Sequence, residues 1–293
     1  MASIKPLILT AAISVLLTVG LLKSGVVTMP TLATVAAKET TYERVLRTGT
    51  IRCGYSVWKP LMWADAGTGE KTGIFPDLIE EAGKRLGLKI VWQEELGWGS
   101  VVESVRADRV DMACAGYWLN PARIKNLQSS TPQLYSPMYV YIRADDARSF
   151  ASPQDLNDGQ YTISTIDGSA EKQIISARFA KSKNITLPEL ASSSDALQDL
   201  VTKKADFLIL DPATANGYML NNPGKIKNAF PDTPMTLFPT VMLLPPEDAA
   251  FKGMIDNILL DIERDGTLDA LVKKYDAAPL FLRSVSPTAA RAG

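Results

Sequence analysis

The sequence lacks histidine altogether and contains only two cysteines among its 293 residues. The absence of histidine excludes Ser-His-Asp and Cys-His catalysis, and it also excludes zinc sites built on histidine. Two cysteines cannot supply a four-thiolate metal site. An enzyme of this sequence would have to use Asp, Glu, Lys, Tyr or a thiol. We predict no catalytic residue, no metal and no cofactor.

Neither sign of charge is in large excess, and no run of basic residues occurs. The chain has 31 Lys and Arg against 32 Asp and Glu, which gives a formal net charge of -1. Nucleic-acid binding normally requires a basic patch or stripe, so we expect no nucleic-acid partner. A chain of this length can form one large domain or two moderate ones.

The N-terminus has the pattern of an export signal. Lys5 precedes an apolar run from Leu7 to Leu22, and small residues at Val35 and Ala37 suit signal peptidase. We predict that residues 1–37 are a signal peptide, cleaved after Ala37, and that the protein resides in the periplasm. The apolar run is shorter than the roughly 20 residues of a spanning helix, and an uncleaved anchor is the alternative.

The two cysteines, Cys53 and Cys114, each fall within a predicted strand. In an oxidising compartment they can form a disulfide between neighbouring strands, provided that their Cα atoms meet a narrow range of spacing. The alternative is two small, unbonded core residues. The sequence leaves both open.

Apolar periodicity predicts alternating strands and helices, which is typical of an α/β fold with a parallel sheet flanked by helices. An apolar stretch at 237–244 contains Pro239, so we expect two short extended pieces there or a crossing strand. The predicted strands are 51–55, 89–93, 110–115, 139–143, 161–166 and 207–210. The predicted helices are 41–47, 76–86, 100–106, 167–179, 194–202, 249–264 and 268–275.

The stretch from Asp108 to Tyr135 has the layout of a binding edge. A predicted buried strand, 110–115, is followed by Gly116-Tyr117-Trp118 and then by Asn120-Pro121-Ala122-Arg123. In open α/β sheets, ligands bind beyond the carboxyl ends of the strands. We predict that Arg123 meets an anionic group there.

Several short motifs, in order, resemble the amino-acid-type solute-binding proteins of ABC importers, the bacterial extracellular solute-binding proteins of family 3. The similarity runs from about Val45 to Tyr275. The motifs are Gly49-Thr50-Ile51-Arg52, Trp58-Lys59-Pro60-Leu61, Gly73-Ile74-Phe75-Pro76-Asp77-Leu78, Gly116 to Arg123, Asp265-Gly266-Thr267-Leu268 and Lys273-Lys274-Tyr275.

This resemblance implies a bilobal type II periplasmic binding fold, in which two α/β lobes joined by a hinge close on a ligand. The first lobe would comprise residues 41–138 and 240–282, and the second would comprise residues 139–239. Residues 283–293 would be a disordered tail.

The resemblance also implies roles for individual residues. Arg123 matches the arginine that clamps the ligand's carboxylate, and Asp211 matches the acid that pairs with its ammonium group. Gly168 and Ser169 match a helix N-terminus that favours an anion, and Trp58 matches the aromatic residue that stacks on the ligand. The alternatives are a surface arginine at a helix start and an Asp211 that only caps a helix.

Four positions depart from the family pattern. Trp118 replaces a serine, Asn120 and Ala170 replace threonines, and Tyr55 stands where relatives for basic amino acids carry an acid. An aromatic pocket can favour flat or apolar ligands, or cations through the ring faces. Trp98 is expected in the core, and Trp63 and Trp118 either line the pocket or pack inside the lobe. The predicted ligand-binding residues are Arg123, Asp211, Trp58, Tyr55, Tyr117, Trp118, Asn120, Gly116, Gly168 and Ser169.

We therefore predict a monomeric, non-enzymatic binding protein. It would capture an amino acid or a related small carboxylate and deliver it to the permease of an ABC importer in the inner membrane. One alternative is a periplasmic dehydratase of the cyclohexadienyl or prephenate type, which needs a cleft acid of raised pKa; Glu171 lies beside the site. The other alternative is a ligand-sensing accessory protein.

Overall fold

A ten-stranded sheet runs through the protein in the computed structural model, which describes residues 38–189, 191–275, 277, 280 and 281. Every element described below belongs to the unit that begins at Thr40. The predicted signal peptide and the predicted disordered tail lie outside the described residues. No helix within the described ranges has the length and apolar character needed to cross a membrane.

The strands are mostly short, apart from two long ones. They are β1 (Thr50–Tyr55), β2 (Trp63–Ala64), β3 (Lys71–Thr72), β4 (Lys89–Glu95), β5 (Met112–Trp118), β6 (Gln128–Ser129), β7 (Leu134–Arg143), β8 (Thr162–Ile166), β9 (Lys183–Leu187), β10 (Phe207–Leu210), β11 (Ile226–Asn228) and β12 (Thr236–Leu244).

Helices follow most of the strands, as the periodicity predicted. They are α1 (Thr41–Thr48), α2 (Ile74–Leu86), α3 (Val101–Arg106), α4 (Pro121–Asn126), α5 (Glu171–Arg178), α6 (Ser193–Val201), α7 (Pro212–Asn221), α8 (Ala249–Arg264) and α9 (Thr267–Lys274). A 3-10 turn spans Pro153–Leu156. Gly49 and Gly87 end α1 and α2 in the left-handed conformation, which glycine adopts without steric cost.

The sheet joins two sets of parallel strands through a pair of antiparallel ones. The strand order is β4-β1-β5-β12-β7-β10-β8-β9, with β6 beside β12 and β11 beside β7. The first parallel group is β4, β1 and β5, and the second is β10, β8 and β9. The long strands β7 and β12 run antiparallel to each other between the two groups.

The prediction for β5 was wrong at its carboxyl end. The strand does not stop at Ala115 but continues through Trp118, because Thr240 and Val241 of β12 pair with Trp118 and Tyr117. The residues that we expected to follow the strand therefore belong to it. The sequence pattern could not show this extension, since the partner strand lies more than 100 residues further along the chain.

Pro239 does not divide the stretch into two pieces, because β12 is one continuous strand. Pro239 pairs with Tyr135 of β7, whereas pairing with β5 begins only at Thr240. At Pro239 the strand therefore has β7 as a neighbour but not yet β5. Proline is tolerated at such an edge position because it has no N–H to donate to a second neighbour.

A disulfide joins Cys53 of β1 to Cys114 of β5, whose Cα atoms lie 5.4 Å apart. The two strands are parallel neighbours, and both cysteines are fully buried. Of the two alternatives, the structure thus contains the bridge. It ties the centre of the first parallel group together, next to the large apolar cluster that includes α2 and α8.

Removal of this disulfide is expected to destabilise the fold. The bridge spans 61 residues, and disulfides of this kind typically contribute about 2–5 kcal/mol by restricting the unfolded chain. We predict that Cys53→Ala/Cys114→Ala lowers the free energy of unfolding by an amount in that range, as measured by urea denaturation. Wild-type protein denatured with a thiol reductant is the control and should approach the variant. An unchanged midpoint in both samples would contradict the bridge.

Candidate functional site

A cavity of about 340 Å³ lies between the first and the second parallel group. Its walls come from residues at or just beyond the carboxyl ends of β1, β4 and β5 on one side and of β8, β9 and β10 on the other. Strand ends of this kind are where open α/β sheets bind ligands. Of the predicted site residues, five line this cavity: Trp58, Trp118, Arg123, Ser169 and Asp211.

Arg123 lies in the first turn of α4, where Asn120 caps the helix by accepting a hydrogen bond from the Arg123 backbone N–H at 2.9 Å. Its side chain turns inward and the residue is only 3% exposed. Nη1 donates to the carbonyl of Trp118 at 2.6 Å, and Nη2 donates to the carbonyl of Trp98 at 2.7 Å. The alternative of a surface arginine is therefore wrong.

The buried Arg123 guanidinium forms no ion pair with a carboxylate within the described part of the chain, and its Nε has no hydrogen-bond partner there. Its centre lies 5.4 Å from the centroid of the Tyr117 ring. Burial lowers the pKa of Arg123, while Tyr117 and Glu171 counteract that effect. A guanidinium carries five N–H donors, so donors remain available for an anion in the cavity.

Asp211 ends β10 and caps α7. One carboxyl oxygen accepts from the Thr214 backbone N–H at 3.0 Å, and the other accepts from the Thr214 hydroxyl at 2.6 Å. The residue is 3% exposed, and burial raises its pKa in spite of these hydrogen bonds. The capping role that we considered is present, and the carboxyl also lines the cavity; a role in ligand binding stays a prediction.

Glu171, which was not in the predicted set, also lines the cavity. It begins α5, whereas we had expected that helix to begin near Asp167. Burial is the main cause that raises the pKa of Glu171, and the nearby Asp211 carboxyl adds to it, while Arg123 acts in the opposite direction. Glu171 lies two residues after Ser169 in the sequence. An acidic residue in the first turn of a helix is common, so its position alone did not indicate that it lines the cavity.

Three indole rings form an aromatic wall of the cavity. The Trp58 ring lies 4.8 Å from the Trp118 ring and 6.3 Å from the Trp98 ring, in edge-to-face arrangements. Trp98, which we expected in the core, packs against the apolar cluster around Tyr117, with 5.6 Å between the two ring centroids, and it also lines the cavity from the loop after β4. Trp63 instead packs on Tyr275, outside the cavity lining.

Three predicted site residues lie in the interior of the first parallel group rather than on the cavity wall. Tyr55 packs edge-to-face on Trp92. Tyr117 is fully buried, its hydroxyl lies 2.9 Å from that of Ser56, and burial raises its pKa to about 12. A Cβ atom on Gly116 would meet Thr240 at 2.6 Å, so close packing requires glycine there.

Asn120 and Gly168 line a second cavity, of about 230 Å³, which shares Trp98, Arg123 and Ser169 with the first. Gly168 has a positive φ of 73°, and a Cβ atom there would lie 3.2 Å from the Cα of Gly99. The two glycines thus bring the loop after β8 into close contact with the loop after β4.

Three buried donors of the cavity wall lack a hydrogen-bond partner within the described part of the chain: Nε1 of Trp118, Nε of Arg123 and the hydroxyl of Ser169. Buried polar groups in folded proteins nearly always have partners. Three such donors on the wall of one cavity indicate a ligand that carries acceptor atoms.

This arrangement, an enclosed cavity between two groups of parallel strands with an unpaired guanidinium on its wall, defines a protein that binds a small solute. The chain belongs to the bacterial extracellular solute-binding proteins, family 3, whose family model matches residues 51–277. The family resemblance and the expectation of a binding protein rather than an enzyme are thereby confirmed.

Individual relatives agree with this assignment. Amino-acid-binding protein AabA of Dichelobacter nodosus is 27% identical over 225 residues, which cover 75% of this chain and 85% of the relative. The probable ABC transporter extracellular-binding protein YckB of Bacillus subtilis is 24% identical over 219 residues, 72% of this chain and 71% of the relative.

Among solved structures, the ancestral amino acid-binding protein AncCDT-1, a precursor of cyclohexadienyl dehydratase, matches with a TM-score of 0.69 and 23% identity. The match covers 81% of this chain and 99% of AncCDT-1. At this identity it shows the fold, and the predicted bilobal α/β architecture is confirmed.

The raised pKa of Asp211 predicts a characteristic pH dependence of stability. The folded protein retains the Asp211 proton to higher pH than the unfolded chain does, so stability falls as pH rises from the unfolded-state pKa, about 3.9, through the folded-state pKa. Asp211→Asn removes this loss and keeps a good helix cap. We expect the ligand-free variant to be more stable than wild type at pH 7, with the difference vanishing near pH 3.5, in urea denaturation.

Asp195 provides a control of opposite sign. Its carboxyl accepts hydrogen bonds from the backbone and side chain of Ser192, and these bonds lower its pKa. Asp195→Asn should therefore reduce stability at pH 7. If Asp211→Asn behaved like Asp195→Asn, the account of Asp211 would be incorrect.

Proposed function

We propose that this protein captures an amino acid or a related small carboxylate in the periplasm and delivers it to the permease of an ABC importer. The strongest support for this proposal is the position of the Arg123 guanidinium. It is buried on the cavity wall without a carboxylate partner and with a free Nε–H. The names of AabA and YckB, an amino-acid-binding protein and an extracellular-binding protein of an ABC transporter, support this function.

In the proposed complex, the ligand's carboxylate receives hydrogen bonds from Arg123, and its ammonium group meets Asp211. A planar fork of donors suits a carboxylate better than a lysine ammonium does. Closure of the site around the ligand would exclude water, which would strengthen both contacts. Trp58 and Trp118 would then contact the ligand's side chain.

Binding would bring two lobes together. We propose that residues 41–138 and 240–282 form one lobe and that residues 139–239 form the other, since β7 and β12 run between the two parallel groups. The crossing strands would act as the hinge. We further propose export through the signal peptide of residues 1–37, cleavage after Ala37, and a monomeric protein in the periplasm.

The role of Arg123 is tested by substitution. A thermal-shift screen of the common L-amino acids identifies the one that stabilises the wild type most, since bound ligand stabilises by mass action. We expect Arg123→Ala to weaken calorimetric binding of that amino acid by about 30-fold or more, because loss of one partner of a buried charged pair typically costs about 2–5 kcal/mol. Arg123→Lys should recover only part of the affinity.

Arg106→Ala is the matched control. Arg106 is an exposed arginine near the same helix, and it donates to Asn126 at 3.1 Å. The Arg106→Ala variant loses the same charge as Arg123→Ala, and we expect it to bind the amino acid with wild-type affinity. An Arg123→Ala variant that folds and retains wild-type affinity would refute the assignment of the carboxylate site.

One observation favours the dehydratase alternative: Glu171 lines the cavity and burial raises its pKa, as a general acid requires. Burial beside Asp211 is sufficient to explain that shift, and the family consists of solute-binding proteins. We expect the purified protein not to convert prephenate. Conversion above background that disappears in Glu171→Gln, with the fold retained, would instead establish the enzyme. A sensing role would use the same site and differ only in its partner.

A further inference from the structure

The cavity wall is strongly unbalanced in charge. Four acidic side chains line it, Glu95, Glu171, Glu189 and Asp211, against a single basic one, Arg123. None of the four forms an ion pair within the described ranges of the chain. Helix capping accounts for the position of Asp211, and the first turn of α5 accounts for that of Glu171. Neither reason applies to Glu95 or Glu189.

Acidic side chains alone do not define a ligand, but two independent features of this cavity do. The free Nε of Arg123 and the free Nε1 of Trp118 belong to residues that are 3% and 9% exposed. Both are donors, so they call for acceptor atoms such as those of a carboxylate. The ligand must therefore carry an anionic or acceptor group for these donors, in addition to the group that contacts the acidic side chains.

Glu189 is held in place from the opposite side of the cavity. It follows β9, and one of its carboxyl oxygens accepts from the backbone N–H of Gly99, in the loop after β4, at 2.9 Å. A Cβ atom on Gly99 would lie 2.6 Å from the Glu189 carboxyl carbon, so a side chain there would displace the carboxylate. Glu95, at the end of β4, lines the same cavity.

The aromatic wall, like the acidic side chains, attracts a positively charged group. Three tryptophans, Trp58, Trp98 and Trp118, surround part of the cavity, and the ring centroids of Trp58 and Trp118 are 4.8 Å apart. Indole faces attract cations more strongly than other side-chain rings do. Acidic side chains and indole rings on one wall both favour a positively charged group.

We propose that the ligand is an amino acid whose side chain carries a second cationic group, and that Glu95 and Glu189 are the residues that select it. This inference rests on the proposed function, in which Arg123 takes the carboxylate and Asp211 the ammonium. A ligand with a neutral side chain would leave Glu95 and Glu189 without a counter-charge on the cavity wall. A cationic side chain offsets them and meets the indole rings.

Two pairs of probes isolate the charge of the side chain. L-arginine and L-citrulline have nearly the same shape, as do L-lysine and L-norleucine, but only the first member of each pair carries a side-chain cation. We expect calorimetry to show at least tenfold tighter binding of the cationic member in one or both pairs. If the neutral member binds equally or more tightly in both pairs, the inference is overturned.

The same titrations separate this inference from the proposed function. If another amino acid binds in an Arg123-dependent manner while all four probes fail, the choice of a cationic ligand is wrong and the amino-acid site stands. If no amino acid binds, both fail.

Variants test the two selecting residues. Glu95→Gln/Glu189→Gln should reduce the preference for the cationic member over the neutral member several-fold. Glutamine retains an oxygen that can accept from Gly99. Glu94→Gln is the matched control, because Glu94 is the neighbour of Glu95 in β4, lies outside the cavity lining and is near Arg109 at 3.4 Å. An equal preference in the double variant and in this control would contradict the assignment.

Discussion

The Arg123 charge, buried without a carboxylate partner, is the constraint on which the binding site depends. Removing a charge from water is costly unless it is paired. Here the cost is only partly met by two backbone carbonyls and the face of the Tyr117 ring. A ligand carboxylate would complete the pairing, so the burial of Arg123 favours ligand binding at the expense of the stability of the protein alone. Asp211, whose burial raises its pKa, shows the same trade-off on the second parallel group.

The rest of the fold serves to bring these two charges to one cavity. Each parallel group presents its carboxyl ends to the cavity, and the antiparallel strands β7 and β12 run between the groups. The disulfide between β1 and β5 and the close packing at Gly116 fix β5, which carries Trp118 and leads into the helix of Arg123. Rigid strands with functional residues in the following loops position side chains while allowing the loops to contact a ligand.

Much of the fold was predictable because its helices and strands have local signals. The positions of Arg123 and Asp211 on the cavity wall were predictable because each follows a strand and matches a position of the family pattern. The direction of a side chain was less predictable. Tyr117 turned out to be buried because pairing with β12, a distant segment, extends β5. Trp98 follows β4 in a loop between two glycines, where no periodicity shows which way a ring points. Glu171 suits a helix start and a cavity equally well.

The central claim is that Arg123 receives the carboxylate of a bound solute, and a crystal structure of the complex with the tightest-binding amino acid tests it most directly. The account predicts that the ligand's carboxylate accepts hydrogen bonds from the Arg123 guanidinium, including its Nε–H, at about 2.7–2.9 Å. A bound ligand whose carboxylate lies elsewhere, with Arg123 still bonded only to the carbonyls of Trp98 and Trp118, would contradict it.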